Sequence, residues 1–165
     1  MKSILLFGVL IPVFILNSRE PAAWADIGDR VVEAQVSFDT TTDDKDADTS
    51  VVACLVYDPG SVNHQTFDMG CTTNLHGRRF GDRTREGPWN APITWSGYTS
   101  TERINVIPNR VKVTIRPVGH DTWRFKVYAR WKVAGGDVFE GTSAEFSLSQ
   151  DHTSNIKPLS QNPAR

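Results

Sequence analysis

This 165-residue chain has no run of helical periodicity, no catalytic signature and no excess of positive charge, and it contains only two cysteines and two methionines. Each absence excludes something. Without apolar residues recurring every three to four positions, no amphipathic helix is available to build a bundle or an α/β layer. Lys and Arg number 18 against 19 Asp and Glu, a net charge of −1. A dedicated nucleic-acid binder is usually basic overall, so nucleic acid is not an expected partner. There is no His-Glu-x-x-His, no Gly-x-Ser-x-Gly and no phosphate-cradling glycine loop. The histidines, His64, His76, His120 and His152, are scattered, and no catalytic residue is assigned. Cys54 and Cys71 are too few for a cysteine-based zinc site. In an exported chain they are expected to form a disulfide, contributing ~3 kcal/mol by limiting the unfolded state. The alternative is that Cys54 is a buried free thiol within an apolar strand.

What the N-terminus does have is the layout of a leader. Lys2 supplies the positive charge, residues 4–16 are apolar apart from Gly8 and Pro12, and Ala23-Trp24-Ala25 places small residues at the cleavage positions. Cleavage is expected after Ala25, giving a secreted or periplasmic protein. The apolar stretch is shorter than the roughly 18–20 residues that span a bilayer. A retained anchor is the alternative, since Arg19 and Glu20 put unusual charge before the cleavage site. Loss of Lys2, Arg19 and Glu20 takes the basic count from 18 to 16 and the acidic count from 19 to 18, a mature net charge of −2. No later run is long and apolar enough to be a second span.

Period-two alternation dominates the remainder. Val32, Ala34, Val36 and Phe38 alternate with polar residues and predict a half-buried strand ending at Asp39. Residues 50–57 are apolar on both faces and predict a central strand. Val111, Val113 and Ile115 mark another. The series Trp123, Phe125, Val127, Ala129, Trp131 and Val133 is the clearest of all. Ala134-Gly135-Gly136-Asp137 then turns the chain into a hairpin whose second arm is residues 138–148, with Ala144, Phe146 and Leu148 inward. Residues 75–100 lack a period and read as a long loop with one short strand. Short strands joined by turns make either a sandwich of two antiparallel sheets or a barrel. The expected organisation is the former, an all-β, antiparallel β-sandwich over residues 26–148, followed by a flexible C-terminal tail over residues 149–165.

The densest chemistry lies between the first two strands, where Asp39, Asp43, Asp44, Asp46 and Asp48 crowd ten residues. Short carboxylates repel unless they are solvated or share a cation, and calcium accepts six to eight such oxygens. An EF-hand is excluded, because Thr49 and Leu55 stand where glycine and the bidentate Glu belong. The simpler reading is a solvated acidic loop held by Asx-turns. Together with the turn Pro117-Val118-Gly119-His120-Asp121-Thr122-Trp123, this loop resembles the calcium edge of C2-type and PLAT-like β-sandwiches. That resemblance implies calcium as a cofactor. Residues 122–133, at roughly 3.3 Å per residue, hold Asp121 and Asp137 at opposite ends, so one of them at most can join the five loop aspartates as a ligand. Asp121 is the candidate because Gly119 allows a close backbone approach; an ordinary turn aspartate is the alternative for either. It also implies binding directed at lipid headgroups or another protein. The second Asp-x-Asp pair of C2 modules is missing.

Two further groups of residues are candidates for anion binding. Arg110, Lys112 and Arg116 on one strand and Arg124, Lys126, Arg130 and Lys132 on the next would share one outward face if those strands pair. Such a face suits an anionic membrane surface, an acidic polysaccharide or an acidic protein. It is equally what an ordinary solvated sheet displays. Arg78 and Arg79 lie in a basic loop followed by Trp89 and Trp95, a composition suited to phosphate or carboxylate recognition. Alternatively, the tryptophans tuck back over an open core edge. The leading expectation is a secreted, calcium-assisted binding module. A secreted hydrolase using His120 or Glu86, and a structural interaction domain without metal, are the competing classes.

Overall fold

The computed structural model describes residues 30–60, 66–94, 107–119 and 122–163. The leader, His64, Trp95, His120 and Asp121 lie outside these residues. Among the described residues nine strands follow one another: β1 (Val31–Thr42), β2 (Ser50–Tyr57), β3 (Phe67–Cys71), β4 (Arg85–Asn90), β5 (Arg110–Arg116), β6 (Trp123–Val133), β7 (Val138–Ser143), β8 (Phe146–Leu148) and β9 (Ser154–Pro163). Among the described residues there is no helix, and none therefore long and apolar enough to cross a membrane.

The alternation read from the sequence sets the inner face. Along β6 every odd residue from Trp123 to Val133 is buried and points to the core, while the even positions are polar. β5 buries Val111, Val113 and Ile115 in the same way. β2 is covered on both faces, with Leu55 and Val56 both fully buried. Burying a Val, Leu or Phe side chain stabilises by about 1.5–3 kcal/mol, so these rows fix which face turns inward.

All pairings are antiparallel, in the order β3-β2-β5-β9-β7-β6-β1-β4, with β8 also on β6. One core serves both ends of this path. Val51, Leu55 and Val113 from one end pack in a single cluster with Phe38, Val127 and Trp131 from the other. The sheet edges also approach each other: Gly70 bridges Ile93, and the Thr94 amide donates to the Met69 carbonyl at 2.8 Å. Gly70 is required there, because a Cβ at that position would lie 2.6 Å from the Pro92 carbonyl oxygen. The architecture is thus one antiparallel sheet curled into a half-barrel.

Three expectations change. Two separate sheets were anticipated, but β9 pairs with β5 through residues 154–158 and with β7 through residues 159–163, so the sheet is continuous. The same strand replaces the expected flexible tail. Its few apolar residues were misleading, since a strand bonded on both sides gains its partners through its backbone. Local register also departs from strict alternation. A shift between Val31 and Glu33 buries Val31 and leaves Val32 39% exposed. A one-residue slip between β7 and β8 puts Ser143 inside and Ala144 outside. The buried Ser143 hydroxyl then accepts the Val127 amide at 2.9 Å.

Candidate functional site

β1 runs three residues beyond Asp39, so the first aspartate of the acidic stretch is a strand residue rather than a loop residue. Its carboxylate meets Arg85 of β4 at 2.9 Å. Asp43 has a left-handed backbone (φ 59°), a conformation aspartate tolerates better than most residues. It faces Arg124 at 3.7 Å. Asp44 takes both the Nε (2.9 Å) and a terminal nitrogen (2.5 Å) of Arg79 on one oxygen. That hydrogen bond, with the Asp44 charge, raises the Arg79 pKa above its ordinary value. The Asp39 hydrogen bond does the same for Arg85. Three of the five carboxylates therefore already have a guanidinium.

The remaining two, Asp46 and Asp48, act only through their charge on a cation that the loop supplies itself. Lys45 is 1% exposed, the most deeply buried charged residue of the described chain. Its ammonium donates to the Asp46 carbonyl at 2.8 Å and, at shorter range, to the Arg78 carbonyl. It also stands 4.9 Å from the centre of the Phe80 ring. Burial lowers its pKa to about 8, against the opposing pull of the Asp48 and Asp46 charges. The Lys45 backbone pairs with Phe80 in both directions, at 3.0 and 3.1 Å. The Gly77 amide donates to the Ala47 carbonyl at 2.8 Å. Exposed ion pairs contribute about 0–1 kcal/mol each. The loop is consequently held by the Lys45–Phe80 contact more than by its arginines.

The acidic loop and the arginine loop are therefore one platform. Phe80 is fully buried and anchors the arginine loop in an aromatic cluster with Phe38 (5.4 Å), Trp89 (5.1 Å) and Trp123 (5.4 Å). Trp89 tucks over the core edge, as one of the two sequence readings had it. The Trp123 indole donates to the buried Thr40 hydroxyl at 3.2 Å, fixing the start of β6 beside the end of β1. Asp46, Asp48, His76, Arg78, Asp82 and Arg83 remain exposed on the platform. Sequence reasoning missed Lys45 and Phe80 as the fastening residues. The available signal was a lone lysine inside an aspartate run.

The seven cations of β5 and β6 do not form one face. β9 and β7 lie between those strands, which separates Arg110, Lys112 and Arg116 from Arg124, Lys126, Arg130 and Lys132. Several have acidic neighbours of their own. Arg110 meets Asp58 at 2.6 Å, Lys112 meets Asp68 at 2.6 Å, and Arg130 faces Glu140 at 3.9 Å. Arg116, Lys126 and Lys132 make no ion pair within 4.0 Å among the described residues. Glu140 also accepts a short hydrogen bond from Tyr128, which raises the tyrosine pKa.

Cys54 and Cys71 are directly opposed on β2 and β3 and are joined in a disulfide. Among the described residues, one group of three potential metal-ligating side chains has its ligand atoms within 4.8 Å of one another: Cys54, Asp68 and Cys71. The loop aspartates form no such group. Ser50 Oγ lies 3.5 Å from His76 Nδ1, a long contact between residues that are not buried. It lacks the close, oriented geometry of a nucleophile and its base. Family models, curated proteins and solved structures were each compared with the chain, and none matches it.

Proposed function

We propose that the chain is an exported, non-catalytic binding module whose recognition surface is the loop platform at one end of the half-barrel. The observation that carries this reading is the Lys45–Phe80 lock. It joins two polar loops into one ordered surface on a rigid β scaffold, the usual place for recognition residues. The disulfide and the leader-like N-terminus support export to an oxidising compartment. The exposed set mixes Asp46 and Asp48 with Arg78 and Arg83, which favours a protein partner of mixed charge over a uniformly anionic surface.

The geometry favours action without calcium, because Asp39, Asp43 and Asp44 face arginines and the charges of Asp46 and Asp48 act on the Lys45 ammonium of the same loop. Calcium-assisted binding, with lipid headgroups or polysaccharide as targets, is the second reading and rests on the density of aspartates.

Thermal melts with calcium and with chelator separate the two readings. The melting temperature is expected to be the same in both; a rise of several degrees with calcium would restore the calcium-assisted module. The platform itself is tested with Arg78→Glu/Arg83→Glu against exported proteins, anionic vesicles and acidic polysaccharide. The expected result is at least a ten-fold loss of binding to a protein, with an unchanged melt. Binding that the double variant leaves intact places recognition elsewhere.

A further inference from the structure

Cys54, Cys71 and Asp68 lie apart from the loop platform, on the strands β2 and β3. A register shift between Leu55 and Val56 is what assembles them. In a regular strand Asp68 and Cys71, three residues apart, would point to opposite faces. The irregularity turns Asp68 to the side of Cys71, so that both sulfurs and a carboxylate oxygen fall within 4.8 Å of one another. Lys112 is the register partner of Cys54 on the other flank, and its ammonium bonds both oxygens of Asp68, at 2.7 and 2.6 Å.

We infer that the disulfide masks a zinc site, and that the reduced chain binds one zinc ion through Cys54 Sγ, Cys71 Sγ and an Asp68 oxygen. Zinc takes thiolate and carboxylate ligands at roughly 2.3 and 2.0–2.2 Å in a tetrahedron. Small side-chain rotations carry three atoms already this close onto such a centre. Asp68 and Cys71 are partly exposed, which admits water as the fourth ligand.

The charges balance in both states. In the oxidised chain Asp68 and Lys112 cancel. In the reduced, zinc-bound chain, two thiolates and one carboxylate are offset by the divalent ion and Lys112. Conversion therefore adds no net charge to a cluster in which Cys54 is only 5% exposed. Lys112 supplies the positive charge that offsets the third anionic ligand, and for the metal to bind it must release one of the two Asp68 oxygens it holds in the oxidised chain.

The chemistry closes without an unnamed reagent. A dithiol reductant attacks the half-exposed Cys71 sulfur, the bond between the two protein sulfurs breaks, and Cys54 leaves as a thiolate that takes up a proton. The reductant's second thiol then releases Cys71 and becomes its own disulfide. Zinc displaces both thiol protons as the two metal–sulfur bonds form. None of this depends on the loop platform.

The test adds zinc to the purified chain, then reduces it with a phosphine, and counts zinc retained after gel filtration. Cobalt is used in a parallel sample to read thiolate-to-metal charge transfer. One equivalent of zinc and a charge-transfer band are expected in the reduced chain, and neither in the oxidised one. Asp68→Asn, which retains the disulfide, is expected to weaken zinc at least ten-fold while the oxidised variant keeps its far-ultraviolet circular dichroism. The proposal is overturned if the reduced chain takes up no stoichiometric zinc, if it unfolds even with zinc present, or if Asp68→Asn binds as tightly as the parent.

Discussion

Lys45 shows how one side chain can answer an electrostatic problem that the sequence poses. Asp43, Asp44, Asp46 and Asp48 repel one another, and the attraction of the buried Lys45 ammonium for Asp48 and Asp46 relieves part of that repulsion. Burial opposes the charge, giving a folded pKa of about 8 against the ordinary 10.5. Below pH 8 both states are protonated and the folded state carries the full burial cost. Between about pH 8 and 10.5 the unfolded chain holds a proton that the folded chain has lost, so stability rises with pH. The neutral amine still has two hydrogens for the Asp46 and Arg78 carbonyls. A rise in melting temperature of about 3 °C is expected between pH 7.5 and 9.5, and Lys45→Met should abolish it. Tyr128, whose pKa is raised above 10, acts in the opposite sense only at higher pH. Gly70 is a second residue with a single physical role. Gly70→Ala forces a methyl against the Ala91 and Pro92 carbonyls. It should cost about 2 kcal/mol in a urea titration, with the slope unchanged.

At the scale of elements, β9 carries more than its composition suggests. It supplies backbone partners to β5 through residues 154–158 and to β7 through residues 159–163, and the Leu159 side chain packs into the core. Its removal would leave two facing strand edges unpaired inside the sheet, and buried amides without partners are costly. A chain ending at Gln150 is therefore expected to lose its strand signal in far-ultraviolet circular dichroism and to elute as an aggregate. A native spectrum from that truncation would show β9 to be dispensable. β3 ends the order of the described strands, tied by the disulfide to β2 and by Gly70 to Ile93. Breaking the disulfide with Cys54→Ser/Cys71→Ser should cost ~3 kcal/mol, given the sequence separation of 17.

At the scale of the whole molecule, a single core shared by both ends of a continuous sheet predicts one cooperative unfolding transition. Tryptophan fluorescence, reporting on Trp123 and Trp131 in that core, should follow the same melting curve as the far-ultraviolet signal. Two separable transitions would mean that the β2–β5 and β1–β6 regions fold independently. The strand rows of β2, β5 and β6 were legible without coordinates, because period-two burial is a local consequence of the pleat. The β6–β7 hairpin was legible too, from its glycine turn. Strand order was not. Placing β9 and β7 between β5 and β6 depends on backbone pairing across more than thirty residues, and backbone groups are the same in every residue. For that reason the basic face expected from adjacent strands is divided in the structure, and the expected loose tail is a central strand. The sequence alone determined an antiparallel β protein with two opposable cysteines and a crowded acidic stretch, since alternation, cysteine count and charge density are written locally. Only the tertiary structure decided that the sheet is a single curled one, that Lys45 is turned inward onto Phe80, and that three arginines from distant parts of the chain serve those carboxylates, because a charge's partner is chosen by proximity in space.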